Sequence, residues 1–301
     1  MGKHGCAAST YLVLVVFGMM NITAESKPIK SNPTQTLSDR IDHIRGSVVR
    51  VTVRFEDGQT SSGSGFVVNK DGNVVTANHV VNPLGKTIAE VKRASILVEQ
   101  PVPATTLPSV TITSSFVSAI AKIVATDSAH DIAILAAPDI MTAQMMTDIR
   151  GVRKDIATKV VPARLVDFTI RDGEPVFVSG YPLEMPVLIT NSGFVASSAP
   201  ITTDPVDRSL LDTYWLDIQA NHGNSGGPVF SLQTGYVIAI QVGVVLTAVE
   251  YLDPPNEKVV LQVTDPQGKV ASKMIGYNAG IAKVVPAKYI ENLLIKNGIL
   301  F

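Results

Sequence analysis

Residues 217–230 read Asp-Ile-Gln-Ala-Asn-His-Gly-Asn-Ser-Gly-Gly-Pro-Val-Phe, and the glycines in this run need a physical explanation. Ser225 stands among Gly223, Gly226 and Gly227. Glycine tolerates positive φ, so the backbone can turn tightly enough for successive N–H groups to converge in front of the serine hydroxyl, where they could hold an oxyanion. The run therefore indicates a serine nucleophile, although a plain glycine-rich turn is the alternative.

The order of the histidines separates two kinds of serine hydrolase. Residues 223–227 also satisfy the Gly-x-Ser-x-Gly pattern of the α/β-hydrolases, which place their histidine after the serine. Every histidine of this chain precedes Ser225: His4, His43, His79, His130 and His222. The order histidine, aspartate, serine remains, and it predicts a suitable histidine and aspartate upstream, each at a strand end.

Composition excludes several classes of protein. Of the 301 residues, 46% are hydrophobic and 17% are charged, so the chain can build a large core and is not disordered by composition. The net charge of -1 arises from 25 basic and 26 acidic residues without long runs of one sign. We therefore expect no nucleic-acid partner, and recognition through shape and local contacts instead.

The first 24 residues resemble a secretory signal peptide. Lys3 and His4 precede an apolar run over 11–20, and Ile22-Thr23-Ala24 is typical of a cleavage site. The apolar run is too short to span a bilayer, and an uncleaved anchor is the alternative. We expect a secreted or extracytoplasmic protein with no stable membrane association after cleavage.

The single cysteine, Cys6, lies in this segment, so the mature chain would contain no thiol. Removal of Cys6 with the signal peptide would exclude disulfides, cysteine catalysis and thiolate metal sites. We expect neither a metal nor a cofactor. A disulfide-free secreted domain has to rely on its core, which suits a chain of this length.

Short apolar runs separated by turn signals predict an all-β fold in two units joined by a linker. The predicted divisions are a signal peptide over 1–24, a leader over 25–44, a first β-barrel over 45–137, a linker over 138–161, and a second β-barrel with a C-terminal helix over 162–301.

Helical signals are few. Residues 38–45 are expected to form a short helix with Ser38 as its cap, and the spacing of apolar residues over 139–149 permits another. The last helix is predicted over 287–297, where the apolar positions recur at helical spacing. The interval 99–116 is rich in Pro, Thr and Ser and is interpreted as a loop inserted between two strands.

Two residues fit the expected catalytic order. His79 follows the predicted strand over 73–77, and a strand end would hold a general base in a fixed position. Asp131 opens an apolar run over 132–135, where a buried carboxylate needs a partner such as a histidine ring N–H. A satisfied core histidine and a solvated carboxylate are the alternatives, and Asp127 is the rival of Asp131.

Several blocks of the chain, in this order, resemble the HtrA/Deg branch of the chymotrypsin-fold serine proteases. They are Gly63–Val68, Asp71-Gly72, Thr76–Val81, Asp131–Leu135, Gly180–Pro182, Asn191–Gly193, Asp217–Pro228 and Gly280–Pro286. The resemblance implies an all-β fold of two chymotrypsin-like six-stranded β-barrels with a short C-terminal helix. The active site would lie in the cleft between the barrels.

The resemblance also implies a role for each candidate residue. His79 would be the base, Asp131 its orienting partner and Ser225 the nucleophile, with the N–H groups of Gly223 and Ser225 as the oxyanion hole. The reaction would be hydrolysis of peptide bonds in an unfolded or extended polypeptide, through an acyl-enzyme. A catalytically inactive binding or chaperone-like protein with the same fold is the alternative.

By the same resemblance, five residues should line the pocket for the residue that precedes the cut bond: Gln219, Ala220, Ile240, Gln241 and Val242. They include no Asp or Glu, so a small or medium apolar side chain is expected there in preference to Lys or Arg.

The chain departs from the family pattern in three respects. Members usually carry PDZ domains after the protease, whereas this chain stops at Phe301, so peptide-gated activation through such a domain is not expected. The 99–116 insertion and the 138–161 linker are atypical, and the family's trimer is therefore not implied here. His222 stands where members usually have a proline, so a rigid loop before Gly223 is not implied here.

Overall fold

The computed structural model describes residues 36–82, 91–101, 116–142, 144–147, 153–156, 160–167, 170–201, 212–248, 252–253, 257–258, 261–264, 270–273 and 276–301. The predicted signal peptide, most of the leader and most of the 99–116 insertion lie outside these residues. The helices are α1 (Leu37–Arg45), α2 (Asn78–Val81) and α3 (Ala287–Lys296), and 3-10 helices span Pro138–Met141 and Pro182–Glu184.

Strands make up most of the regular structure. In chain order they are β1 (Val48–Phe55), β2 (Thr60–Val67), β3 (Asn73–Ala77), β4 (Arg93–Pro101), β5 (Phe116–Ile120), β6 (Lys122–Asp127), β7 (Ile132–Ala136), β8 (Gln144–Thr147), β9 (Arg153–Ile156), β10 (Pro175–Gly180), β11 (Ile189–Ile201), β12 (Thr213–Asp217), β13 (Pro228–Ser231), β14 (Val237–Ala248), β15 (Leu252–Asp253), β16 (Glu257–Lys258), β17 (Leu261–Thr264), β18 (Val270–Lys273) and β19 (Gly276–Pro286).

The first sheet is antiparallel with the strand order β5-β4-β1-β2-β3-β7-β6. In β1, Val49, Val51 and Val53 are buried and alternate with Arg and Thr, as expected of a strand with one face on a core. A turn at Gly58, with φ of 84°, reverses the chain into β2, and this is one of the predicted hairpins.

The strand count of this sheet differs from the expected six. The sheet has seven strands, but its two edges, β5 and β6, are separated only by Ala121. The Ala121 N–H donates to the Ile96 carbonyl (2.9 Å), so the chain bends there and passes from one edge to the other. The sheet consequently curls into a barrel-like shape, and the all-β two-barrel fold class is confirmed.

The second sheet is a closed barrel of six strands, in the order β10-β11-β12-β19-β14-β13. Its interior is one apolar cluster that includes Val178, Leu216, Ala220 and Val284. Closure leaves no free edge, so the backbone groups of every strand have neighbours on both sides. This barrel therefore gives a rigid support to the loop that carries Ser225, which lies between β12 and β13.

Helix α1 begins one residue earlier than predicted, and its cap is Thr36 instead of Ser38. The Asp39 N–H donates to the Thr36 hydroxyl (3.2 Å), and the Thr36 N–H donates to the Asp39 carboxylate (2.9 Å). This reciprocal pair is a capping box, which needs an acidic residue three positions after the cap. The hydrogen bonds from Thr36 lower the pKa of Asp39.

The region predicted as a linker, 138–161, contains regular structure. The helical spacing that begins at Asp139 yields only the 3-10 helix Pro138–Met141. Beyond it, β8 pairs with β9 in an antiparallel hairpin, from Gln144 opposite Ile156 to Thr147 opposite Arg153. Pairing within this hairpin therefore overrides the local helical pattern here.

A second apolar cluster joins the two barrels. It includes Phe66 and Ile134 from the first sheet and Phe177, Phe230 and Ile240 from the second. Helix α3 covers this cluster with its buried side chains, which recur at helical spacing: Ile290, Leu293 and Leu294. No helix among the described residues is long and apolar enough to cross a membrane.

Replacing Ile290 by alanine should destabilise the fold, because its side chain is 0% exposed in the cluster between the barrels. We expect Ile290→Ala to lower the free energy of unfolding by about 2–5 kcal/mol in urea denaturation. Ile295→Ala is the matched control on the same helix, since Ile295 is 67% exposed, and its effect should stay within about 0.5 kcal/mol. Equal losses in the two variants would contradict the packing of α3.

Candidate active site

Pairing between β3 and β7 brings His79 and Asp131 together, although 52 positions separate them in the chain. Ala77, the last residue of β3, lies opposite Ile132, the first residue of β7. The residues just beyond these strand ends are therefore neighbours, and the Asn78 N–H donates to the Asp131 carbonyl (2.9 Å). Both predicted residues consequently lie at the same end of two adjacent strands of the first sheet.

The carboxylate of Asp131 contacts His79 at two points. Its Oδ2 lies 2.5 Å from the ring Nδ1, and its Oδ1 accepts the backbone N–H of His79 at 2.8 Å. The side chains are 27% exposed for His79 and 12% for Asp131, so the pair is shielded but reachable. Because Nδ1 is engaged, Nε2 is the ring nitrogen left for base chemistry.

Asp131 has a backbone conformation that asparagine and aspartate tolerate better than most residues. Its φ is 54°, in the left-handed region, where a side chain costs about 1–2 kcal/mol relative to the right-handed one. The contacts to Asn78 and His79 hold it there. The rival carboxylate, Asp127, is engaged elsewhere, with its Oδ2 2.7 Å from Nδ1 of His130.

Close backbone approach places the Ser225 loop against the end of β3. Gly226 has a φ of 85°, and an added Cβ would overlap the Ser64 carbonyl oxygen and come within 2.7 Å of the Ala77 nitrogen. The Ser64 N–H also donates to the Ser225 carbonyl (2.8 Å). Ser225 is therefore next to the strand end from which His79 follows.

Gly223 completes a tight turn in front of Ser225. Its φ is 95°, and a Cβ there would overlap the Tyr181 carbonyl oxygen, so only glycine fits. The Ser64 hydroxyl donates to the Gly223 carbonyl (2.6 Å) and accepts the Tyr181 N–H (2.9 Å). The N–H groups of Gly223 and Ser225 donate to no acceptor among the described residues, so both are available to an oxyanion.

Within the described part of the chain, the Ser225 hydroxyl makes no hydrogen bond to the His79 ring. Hydrogen bonds between nucleophile and base are often long in proteins without substrate and shorten when it binds. The site thus contains a paired imidazole and two N–H groups without acceptors in the described structure, and the loop that carries the Ser225 hydroxyl packs against the strand end before His79.

Ser64 is a site residue that no sequence pattern singled out. It is fully buried on β2, and its hydroxyl ties the loop before Ser225 to the residue after β10. The signal for it is its position between Gly63 and Gly65, since a strand with small residues admits another backbone closely. A Cβ at Gly63 would meet the Ser225 carbonyl at 2.9 Å.

The five predicted pocket residues fall on two sides of β14. Ile240 and Val242 are buried in the cluster between the barrels, and Ala220 is buried in the interior of the second barrel. Gln219 is exposed at its side chain, and its carbonyl accepts the Asn191 amide (2.6 Å). The structure therefore does not place these residues on one common surface.

Gln241 is the polar member of that set. Its neighbour Ile240 packs between the barrels, so strand alternation directs Gln241 to the opposite face, across from Val284. Its backbone exchanges hydrogen bonds with Gly226 (2.7 Å) and Gly227 (2.9 Å) beside Ser225. The side chain is 1% exposed, and neither amide atom has a hydrogen-bond partner in the described structure.

No group of three or more His, Cys, Asp or Glu side chains that could hold a metal ion is present among the described residues.

Comparison with known proteins identifies the family. A model described as "Trypsin-like peptidase domain" matches residues 63–240, which include all three candidate catalytic residues. A relative from Pseudomonas savastanoi pv. phaseolicola, named "Probable periplasmic serine endoprotease DegP-like", is 27% identical over 181 residues. That alignment covers 60% of this chain but only 28% of the relative.

Solved structures show the same fold at low sequence identity. The Rv3671c protease from M. tuberculosis in its active form has a TM-score of 0.55 and 18% identity, over 87% of this chain and 85% of that one. The HtrA-type protease AlgW with tripeptide has a TM-score of 0.53 and 17% identity, over 88% of this chain and 65% of that one. These structures show the fold, while the family model and the DegP-like relative confirm the resemblance to HtrA/Deg proteases. The chain belongs to the family of trypsin-like peptidases.

Proposed function

We propose that this protein hydrolyses peptide bonds with a triad of His79, Asp131 and Ser225. The observation that carries the proposal is the two-point contact between Asp131 and His79, located where Gly226 of the serine loop packs against the end of β3. A core histidine would need one hydrogen-bond partner, whereas a base that becomes charged during the reaction needs a fixed carboxylate.

In the proposed reaction, the Ser225 Oγ attacks the carbonyl carbon of the peptide bond while its proton passes to Nε2 of His79. The N–H groups of Gly223 and Ser225 stabilise the oxyanion that forms. His79 then gives its proton to the amine, which leaves as the C–N bond breaks. Water attacks the remaining ester, transfers a proton to His79, and releases the acid as Ser225 regains its proton.

The proposed substrate is an unfolded or extended polypeptide, outside the cytoplasm. The relative from Pseudomonas is named as periplasmic, and residues 1–24 of this chain have the pattern of a secretory signal. An extended chain would suit the cleft that the family resemblance implies between the barrels, because its main chain can lie along a strand and its side chains can enter separate pockets.

A binding or chaperone-like protein without turnover is the second candidate. One observation favours it, namely the absence of a hydrogen bond between the Ser225 hydroxyl and the His79 ring in the described structure. If substrate does not bring these groups together, the hydroxyl remains a weak nucleophile.

A fluorophosphonate probe separates the two candidates. We expect the full-length protein to be labelled and to cleave a denatured polypeptide, because the probe requires an activated serine. Ser225→Ala should not be labelled, and His79→Ala should lose at least about a thousandfold in kcat. Ser64→Ala should remain folded but labelled more slowly, since the loop would lose its tie to Tyr181. An unlabelled wild type that still binds the denatured polypeptide would establish the second candidate.

We further propose that Gln241 reads the side chain before the cut bond, and that this side chain is of modest size with a hydrogen-bonding group. The apolar side chain expected from the pocket residues does not account for a buried amide without a partner, since such a group costs about 1–3 kcal/mol. A substrate hydroxyl or amide at this position would supply the missing hydrogen bond. Ala220 and Val284, on the same side of β14, are apolar and offer no partner to a charged side chain.

The test uses peptides that differ only by Thr or Val at that position, since these two side chains are nearly isosteric. Wild type should cleave the Thr peptide with a higher kcat/KM than the Val peptide. Gln241→Leu should reduce the ratio of kcat/KM for the Thr peptide to kcat/KM for the Val peptide by at least about tenfold, because the hydrogen bond is lost. Gln233→Leu is the control, because Gln233 is exposed in the β13–β14 turn. An unchanged ratio in Gln241→Leu would assign specificity to other residues.

A further inference from the structure

The turn before β7 carries Asp131 and is held from two directions. On one side are the contacts to Asn78 and His79 that the active site uses. On the other side is His130, the preceding residue, whose side chain does not take part in the proposed reaction. Because Asp131 has a φ of 54°, a small rotation at the His130–Asp131 peptide would swing its carboxylate away from His79.

Asp127 fixes the near end of this turn. Its Oδ1 accepts the N–H groups of Ala129 (3.0 Å) and His130 (3.3 Å), and its Oδ2 lies 2.7 Å from Nδ1 of His130. The His130 side chain is 14% exposed. The imidazole is therefore held in one orientation relative to the turn backbone.

Tyr289 of α3 stacks on the His130 ring. The ring centroids are 3.7 Å apart and the planes are inclined by 19°, which is a face-to-face contact. Helix α3 follows β19 directly, and β19 pairs with β14, the strand that supports the serine loop. The stack therefore links the second barrel to the turn of the first barrel that carries Asp131.

Asp212 fixes the far end of the stack. The Tyr289 hydroxyl donates to the Asp212 carboxylate, and the Lys288 ammonium lies 3.4 Å from the same carboxylate. The hydrogen bond from Tyr289 lowers the pKa of Asp212, and burial raises the pKa of Tyr289, so the phenol stays neutral and keeps donating at physiological pH. Both rings of the stack are thus oriented by a carboxylate.

We propose that Tyr289 is a positioning residue that acts through His130 to hold Asp131 against His79, so that the C-terminal helix contributes to the alignment of the triad. The proposal rests on the function proposed above, because it concerns the same three residues. The contacts run from Tyr289 of α3 through His130 to Asp131. The proposed reaction does not otherwise require them, and positioning of Asp131 gives them a role.

Tyr289→Leu removes the ring and should lower kcat by about tenfold to a hundredfold with little change in KM, since a displaced Asp131 affects the reaction more than substrate binding. In the pH profile of kcat/KM, the fall in activity on the acidic side (the acidic limb) should move to lower pH, because a displaced carboxylate stabilises the protonated His79 less. Tyr289→Phe keeps the stacked ring and should restore kcat to within about threefold of wild type.

Two further variants separate positioning from general stability. Tyr236→Leu is the matched control, because Tyr236 is a partly buried tyrosine in the β13–β14 turn, away from the triad. It should leave kcat and the acidic limb unchanged. His130→Leu should reproduce the loss in Tyr289→Leu, and the double variant should lose little more, as residues acting through one contact do. Additive losses, or a normal acidic limb in Tyr289→Leu, would overturn the proposal.

A measurement without turnover distinguishes failure of this proposal from failure of the triad. Proton NMR of the Nδ1–H of His79 reports the hydrogen bond to Asp131 directly. We expect a strongly downfield signal in wild type that broadens or moves upfield in Tyr289→Leu but not in Tyr289→Phe. An unchanged signal in Tyr289→Leu would overturn the positioning role even if the protein proves to be inactive. If wild type is inactive but the signal changes as expected in Tyr289→Leu, only the proposed reaction is refuted.

Discussion

The close approach of the serine loop to the end of β3 is the constraint on which the site depends. At Gly226 the backbone of the second barrel comes so near to Ser64 and Ala77 of the first barrel that no side chain fits between them. This contact joins two sheets whose named strands do not pair with each other. It places the residue before Gly226 beside the residues that follow β3, and so unites groups from distant parts of the chain. A site assembled in this way cannot form in either barrel alone.

The polar side chains around this contact form their hydrogen bonds mostly with backbone groups, so few side chains are needed to hold the site in place. Ser64 ties the turn at Gly223 to Tyr181, and Asp131 is held by the N–H groups of Asn78 and His79. Backbone donors are fixed by the sheet, so they hold a carboxylate without the conformational entropy that flexible side chains would lose. The N–H groups of Gly223 and Ser225 are without acceptors in the described structure, and Gln241, whose amide also lacks a partner, bonds through its backbone to Gly226 and Gly227 beside Ser225.

Local patterns predicted the elements near the site more accurately than those away from it. Strand β3 has the predicted bounds and β7 contains the predicted apolar run over 132–135, because each is a short run of apolar residues between clear turn signals. Their pairing with each other is a finding of the structure. The 138–161 region was predicted less well, because the apolar spacing after Asp139 resembles a helix while β8 and β9 are stabilised by pairing with each other. The sequence predicts Ser38 as the cap, whereas the structure has Thr36, since the capping box depends on a side-chain contact with Asp39 that residue type alone does not distinguish.

The sequence by itself determined the fold class and the three candidate catalytic residues, because glycines, strand periodicity and the order of His79, Asp131 and Ser225 are properties of the linear chain. Only the tertiary structure decided which side chains share a surface. It separated Gln241 from Ile240 and Val242, and it brought Tyr289 onto His130, since such contacts depend on strand register, barrel closure and the packing of a helix against both sheets. These features depend on contacts between segments that are far apart in the chain, so a short stretch of sequence cannot predict them.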